Sequence, residues 1–110
     1  MTIALIAVPG LPMMQPGDDL GAQLACAITA ARVGLKAGDV VAVCQKVVSK
    51  AEGAVVRLDD VQASPFAHQL AAQTEGKDPR IIEVILRETK RIVRNDRGHL
   101  IAETHHGFVC

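Results

Sequence analysis

Tryptophan and tyrosine are absent from this chain, and Phe66 and Phe108 are its only aromatic residues. A surface that stacks single-stranded bases is built from such rings, so that mode of nucleic-acid binding is excluded. An excess of charge is missing too: twelve Lys and Arg offset twelve Asp and Glu, which leaves no global field for a phosphate backbone or an anionic membrane. No apolar run reaches the length of a transmembrane helix. The opening stretch from Ile3 to Val8 is too short, and it lacks the basic lead and small-residue cleavage site of a signal peptide. Cys26, Cys44 and Cys110 are odd in number and form no CxxC pair, which fits a reduced, cytoplasmic setting. Cys26 and Cys44 lie within apolar patterns, where a thiol behaves as a small hydrophobe. The phosphate loop GxxxxGK[ST] is absent as well.

What is present is aliphatic. Of the 110 residues, 49% are hydrophobic, and with so few rings the core must come from Val, Ile, Leu and Ala, which favours helices packed on a sheet. The length allows one small domain of marginal stability. Residues 2–8 read as a buried strand broken by Pro9-Gly10, followed by a loop through Pro16-Gly17. Asp18 or Asp19 caps a helix with apolar positions Leu20, Leu24, Ala27, Ile28 and Ala31, ending at Gly34. Residues 40–44 form a continuous, β-branched run suited to a central strand covered on both faces. Glu52-Gly53 then turns into a further strand over residues 54–58. Ser64-Pro65 and Asp78-Pro79 both have the cap-then-proline form of a helix start, the second leading into Ile81, Ile82, Ile85 and Leu86. Short apolar stretches at residues 91–93, 100–102 and 107–110 read as strands of the same sheet. The expectation is an α+β fold with a mixed sheet of five to six strands and three helices. Phe108-Val109-Cys110 is strand-like with no turn after it, so a chain cut in mid-structure and a natural terminus both stay open.

Four places carry polar chemistry. Gly10, Leu11, Pro12, Met13 and Met14 form a loop where a ligand could meet main-chain groups, or a plain strand-to-helix connection. Gln45, Lys46, Ser49 and Lys50 would make a cationic, hydrogen-bonding mouth at the end of a buried strand, where open sheets bind ligands; the alternative is a solvated turn. His105 and His106 are adjacent, so on a strand they point to opposite faces and do not share one metal; His99 is nearby, and His68 faces solvent from a helix. Arg80, Arg87, Lys90, Arg91 and Arg94 read as a solvated face paired with Asp78, Glu83 and Glu88, or as a dock for an anionic substrate.

Taken in order, several segments resemble the coenzyme F-420:L-glutamate ligase family, the F-420-0 gamma-glutamyl ligases. They are Gly10-Leu11-Pro12, Pro16-Gly17-Asp18-Asp19-Leu20, Gly38-Asp39-Val40-Val41, Gln45-Lys46-Val47-Val48-Ser49-Lys50-Ala51-Glu52-Gly53, Lys77-Asp78-Pro79-Arg80, and Glu103-Thr104 with His106-Gly107-Phe108-Val109-Cys110. The resemblance implies the N-terminal part of that fold, as a single partial domain over residues 1–110. It also implies a cytoplasmic, homodimeric enzyme that adds L-glutamate by gamma linkage to a deazaflavin coenzyme precursor, with GTP as co-substrate and a divalent metal, Mg or Mn. GTP would phosphorylate a substrate carboxylate to an acyl phosphate, which the glutamate amine attacks. By position, Leu11, Pro12, Met13, Met14, Gln45, Lys46 and Lys50 would bind GTP, with Lys50 catalytic and Ser49 a neighbour. His105 stands where relatives carry arginine.

The family's metal ligands follow the HGFVC segment, so no residue of this chain is expected to bind metal, and the piece alone is expected to be inactive. Two other readings stand beside the ligase. One is a non-catalytic structural or dimerisation module that keeps the front-half fold. The other is a related amide-forming enzyme with a different acceptor.

Overall fold

Helix starts appear wherever the chain supplies its own cap. In the computed structural model, which describes all residues 1–110, Asp19 Oδ1 accepts the Ala22 amide at 2.9 Å and opens α1, Leu20–Ala30. Ser64 Oγ accepts the Ala67 amide and opens α3, Pro65–Ala72; Asp78 Oδ1 accepts the Arg80 amide and opens α4, Pro79–Glu88. In both, proline occupies the first helical position, where no amide is needed. A fourth helix, α2, spans Gln45–Ala51. The β-structure is one antiparallel pair, β1, Thr89–Asp96, and β2, His99–Thr104. The fold is therefore α+β with four helices and two strands, in two compact units, Met1–Val55 and Val56–Cys110.

In the first unit the expected strands do not form. Residues 2–8 and 40–43 take part in no backbone hydrogen bond, and their side chains stand in solvent, Leu5 at 97% and Val40 at 87% exposure. The mixed sheet of five to six strands is thus corrected to a single pair. Apolar, β-branched composition sets a preference for extended backbone, but a ladder also needs a neighbour, and none lies beside these segments. Residues 54–57 likewise lack a ladder, and a 3-10 turn begins at Leu58. Cys26, Cys44 and Cys110 are all exposed free thiols rather than members of a core.

Helix α2 replaces the expected strand end. Its stop is fully satisfied: the Ala54 amide donates to Ser49 O at 2.7 Å and the Gly53 amide to Lys50 O at 3.1 Å. Gly53 has φ +70°, so this is the six-to-one and five-to-two bonding of a Schellman cap. Gly53 therefore ends a helix instead of turning a hairpin. Helix α1 ends the same way with Arg32 at φ +55°, earlier than the expected Gly34.

The second unit holds the hydrophobic core. Ala67, Leu70 and Ala71 of α3 pack with Ile82 of α4, joined by Ile85, Leu86, Ile92 and Leu100. Alanines at i and i+4 let the helices approach closely, and burying Ile82 and Leu70 contributes roughly 1.5–3 kcal/mol each. Ile81, expected on the same face, is half exposed. A side-chain clamp reinforces the contact: Glu83 Oε2 on α4 accepts the Ser64 amide at 2.8 Å, the residue that caps α3. Hydrogen bonding by Ser64 holds the Glu83 carboxyl below the usual carboxylate range.

Strands β1 and β2 meet at a two-residue loop, with Asp96 opposite His99. Both loop residues have positive φ, +48° at Arg97 and +77° at Gly98, the pattern of a type I′ turn. Residues 107–110 return toward β2, where Ala102 and Cys110 exchange backbone bonds at 2.9 and 3.0 Å. Strand character at 91–93 and 100–102 thus agrees with the sequence reading, whereas the expected strand at 107–110 is reduced to one isolated bridge at Val109.

Candidate functional site

The first unit joins two of the segments that the sequence marks. The Gly17 amide donates to Ala51 O at 2.8 Å, fastening the exit of the proline-bearing loop to the last turn of α2. Gly17 has φ +91°, which only glycine adopts without strain. Asp18 Oδ2 accepts the Gln15 amide at 2.7 Å and tightens the same turn. Upstream of it, Met14 is buried, whereas Leu11, Pro12 and Met13 remain exposed.

On α2 the polar side chains fall into two neighbouring rows. Gln45 and Ser49, one turn apart, are bonded to each other, Nε2 to Oγ. Lys46 and Lys50 have the same spacing and lie beside that row. Neither lysine joins an ion pair. Like charges one turn apart disfavour a helix by roughly 0.2–0.5 kcal/mol, and a cation in the first turn opposes the helix dipole. Lys46 and Lys50 therefore form an unneutralised pair of cations on a seven-residue helix, Lys46 opposing the helix dipole and Lys50, in the last turn, favoured by it. Chemically, such a row can take up anionic oxygen atoms.

The histidines stand elsewhere. His105 and His106 occupy an exposed turn rather than a strand; the His105 amide donates to Glu88 O and its Nε2 lies 3.3 Å from Arg87 O. His68 is exposed on α3. No group of three or more His, Cys, Asp or Glu side chains converges in the chain, so the metal that the resemblance implies has no fitting donor set among these residues.

The basic run is mostly neutralised, though not by the partners expected throughout. Arg80 pairs with Asp78 at 2.7 Å and reaches Asp59, and its hydrogen bond holds the Asp78 carboxyl below its usual range. Arg87 lies 3.9 Å from Glu83. Lys90 and Arg91 share Glu103 in place of Glu88, and the Arg91 guanidinium above all depresses the Glu103 carboxyl. Arg94 pairs with Asp96 at 2.7 Å. The sequence reading left out Arg97, which the turn sets beside Arg94 and His99; an Arg-Gly pair between two apolar stretches was the available signal.

Residues 10–110 match the family model described as F420-0:Gamma-glutamyl ligase. Relatives named Coenzyme F420:L-glutamate ligase include that of Methanothermobacter thermautotrophicus, 39% identical over 110 residues, covering 100% of this chain and 43% of the relative. The one from Methanopyrus kandleri is 46% identical over 109 residues, covering 99% of this chain and 41% of the relative. That of Methanocaldococcus jannaschii is 39% identical over 100 residues, covering 91% and 38%. The chain thus spans about two fifths of the length of the relatives it matches. With the family model matched over all but the first nine residues, the chain belongs to the F420-0:gamma-glutamyl ligase family.

Proposed function

We propose that this chain is the nucleotide-binding front portion of a GTP-dependent ligase that adds L-glutamate by gamma linkage to a deazaflavin coenzyme precursor. The supporting observation is the Gly17 to Ala51 bond, which couples the proline-bearing loop to the helix bearing two unpaired lysines. In the proposed reaction a carboxylate oxygen of the precursor bonds to the γ-phosphorus of GTP as the bond to GDP breaks. The glutamate amine then attacks the acyl carbon, a C–N bond forms, and inorganic phosphate and a proton leave. Developing charge on the transferred phosphoryl group needs fixed cations. Lys50 and Lys46 take that task, with Gln45 and the main chain of Leu11, Pro12, Met13 and Met14 holding the rest of the nucleotide. The divalent metal, Mg or Mn, takes its ligands from outside these residues, so the chain alone is proposed to be inactive. The working enzyme is proposed to be a cytoplasmic homodimer.

Calorimetric titration of GTP with magnesium into this chain tests the assignment. Lys50→Ala is expected to weaken binding at least tenfold while leaving the melting temperature unchanged. Equal affinity in the two proteins removes Lys50 from the site.

A second reading draws on a different observation. The exposed aliphatic residues Ile3, Leu5, Val40 and Val55 suit a structural or dimerisation module in which strands from a partner cover them. In that case sedimentation shows a stable dimer and GTP produces no heat.

A further inference from the structure

We propose that the outer face of the β1–β2 hairpin is a binding site for a small oxyanion, a phosphate or carboxylate group. The proposal rests on the hairpin alone and stands whether or not the GTP assignment does. A cavity of about 230 Å³ opens there, lined by Arg94, Asp96, Arg97, His99 and Ile101. The register explains why these side chains meet. Arg94 and Asp96 are two apart on β1 and so share a face, and they pair with Ile101 and His99 on β2. Between them lie Asn95 and Leu100 on the opposite face, where Asn95 bonds Gln73 and Leu100 joins the core. Glu75, whose side chain packs near Gly98, is the other carboxylate close to the loop.

The cavity holds hydrogen-bond donors that no protein group uses. The Arg94 guanidinium gives one N–H to Asp96 and keeps further donors free. Arg97 takes part in no ion pair or side-chain hydrogen bond, and the His99 ring has no partner either. Two arginines thus line the cavity beside one aspartate, and with Arg94 paired to Asp96 the Arg97 guanidinium is left without a partner. Arg97 also occupies a left-handed position that asparagine or glycine fills more readily, so the turn does not account for an arginine there.

The lining sets the ligand class: a solvent-open hollow bearing two guanidinium groups suits one phosphate or the end of an amino-acid dicarboxylate. Ile101 supplies an apolar wall against which a short methylene chain can lie. Arginine's planar fork suits either oxyanion.

Nuclear magnetic resonance titrations of the isotope-labelled chain test this, with inorganic phosphate in one series and L-glutamate in another, both at constant ionic strength set with sodium chloride. The expected result is saturable shifts of the amides of residues 94–101 in at least one series. Saturation by phosphate alone assigns a phosphoryl group, and saturation by glutamate assigns a carboxylate. Arg97→Asn keeps the turn geometry and is expected to weaken binding at least tenfold at unchanged melting temperature. Arg94→Gln is expected to weaken it similarly and serves if the first variant is unstable. Shifts that never saturate, or that persist equally in both variants, overturn the proposal.

Discussion

The hydroxyl of Ser64 accepts the Ala67 amide at 3.1 Å while its own amide donates to Glu83 at 2.8 Å, so one short side chain starts a helix and lies within a tertiary contact. Ser64→Ala removes the cap and leaves the amide bond in place. The expected loss is about 1 kcal/mol, or a melting temperature lower by about 4 to 8 °C. A calorimetric scan of the variant measures it, and an unmoved midpoint would show that the cap contributes nothing. Caps of this kind are legible because the chemistry is local: Asp19, Ser64 and Asp78 each bond an amide two or three residues on. The left-handed arginines are not legible. Nothing about Arg32 or Arg97 as a residue type signals positive φ, which is imposed by a helix stop in one case and a two-residue hairpin loop in the other.

Among the elements, α3, α4 and the hairpin depend on carboxylates that are more acidic in the fold than in an unfolded chain. Glu83, Asp78 and Glu103 are all depressed, by Ser64, Arg80 and Arg91 respectively. A depressed carboxyl adds stability that is present above its unfolded pKa and disappears as pH falls through the folded value. Thermal stability is therefore expected to hold near neutrality and to decline below about pH 4. Circular dichroism melts from pH 7 to pH 2 check this, and a flat profile across the acid range would contradict it. Strand pairing separates what can be read locally from what cannot. Residues 91–93 and 100–102 pair because a two-residue loop brings them together, whereas residues 2–8 and 40–44 share their composition but have no partner close in sequence. Helix α2 is missed for a different reason: seven residues give too little periodicity, and Gly53 is read as a turn rather than a helix stop.

For the molecule as a whole, the aliphatic residues divide between a small core and open surface. Ile3, Leu5, Ile6, Val40 and Val55 are all more than half exposed. Surface of this kind invites association. The isolated chain is expected to brighten the dye ANS well above a compact globular standard, and Leu5→Lys with Val40→Lys is expected to reduce that signal. A dim native chain would mean that these segments are covered in solution. The candidate nucleotide site is legible to the extent that the loop and the lysine segment are both noticed in the sequence, but the link between them is not. That link is the Gly17 amide on the Ala51 carbonyl, main chain to main chain. Because both partner atoms are main chain, only proline at position 17, which carries no N–H, deletes the bond outright. Burial confines position 51 to a small side chain and positive φ confines position 17 to an achiral one, so a survey of residue exchanges would register restraint at both ends of a bolt that neither side chain forms.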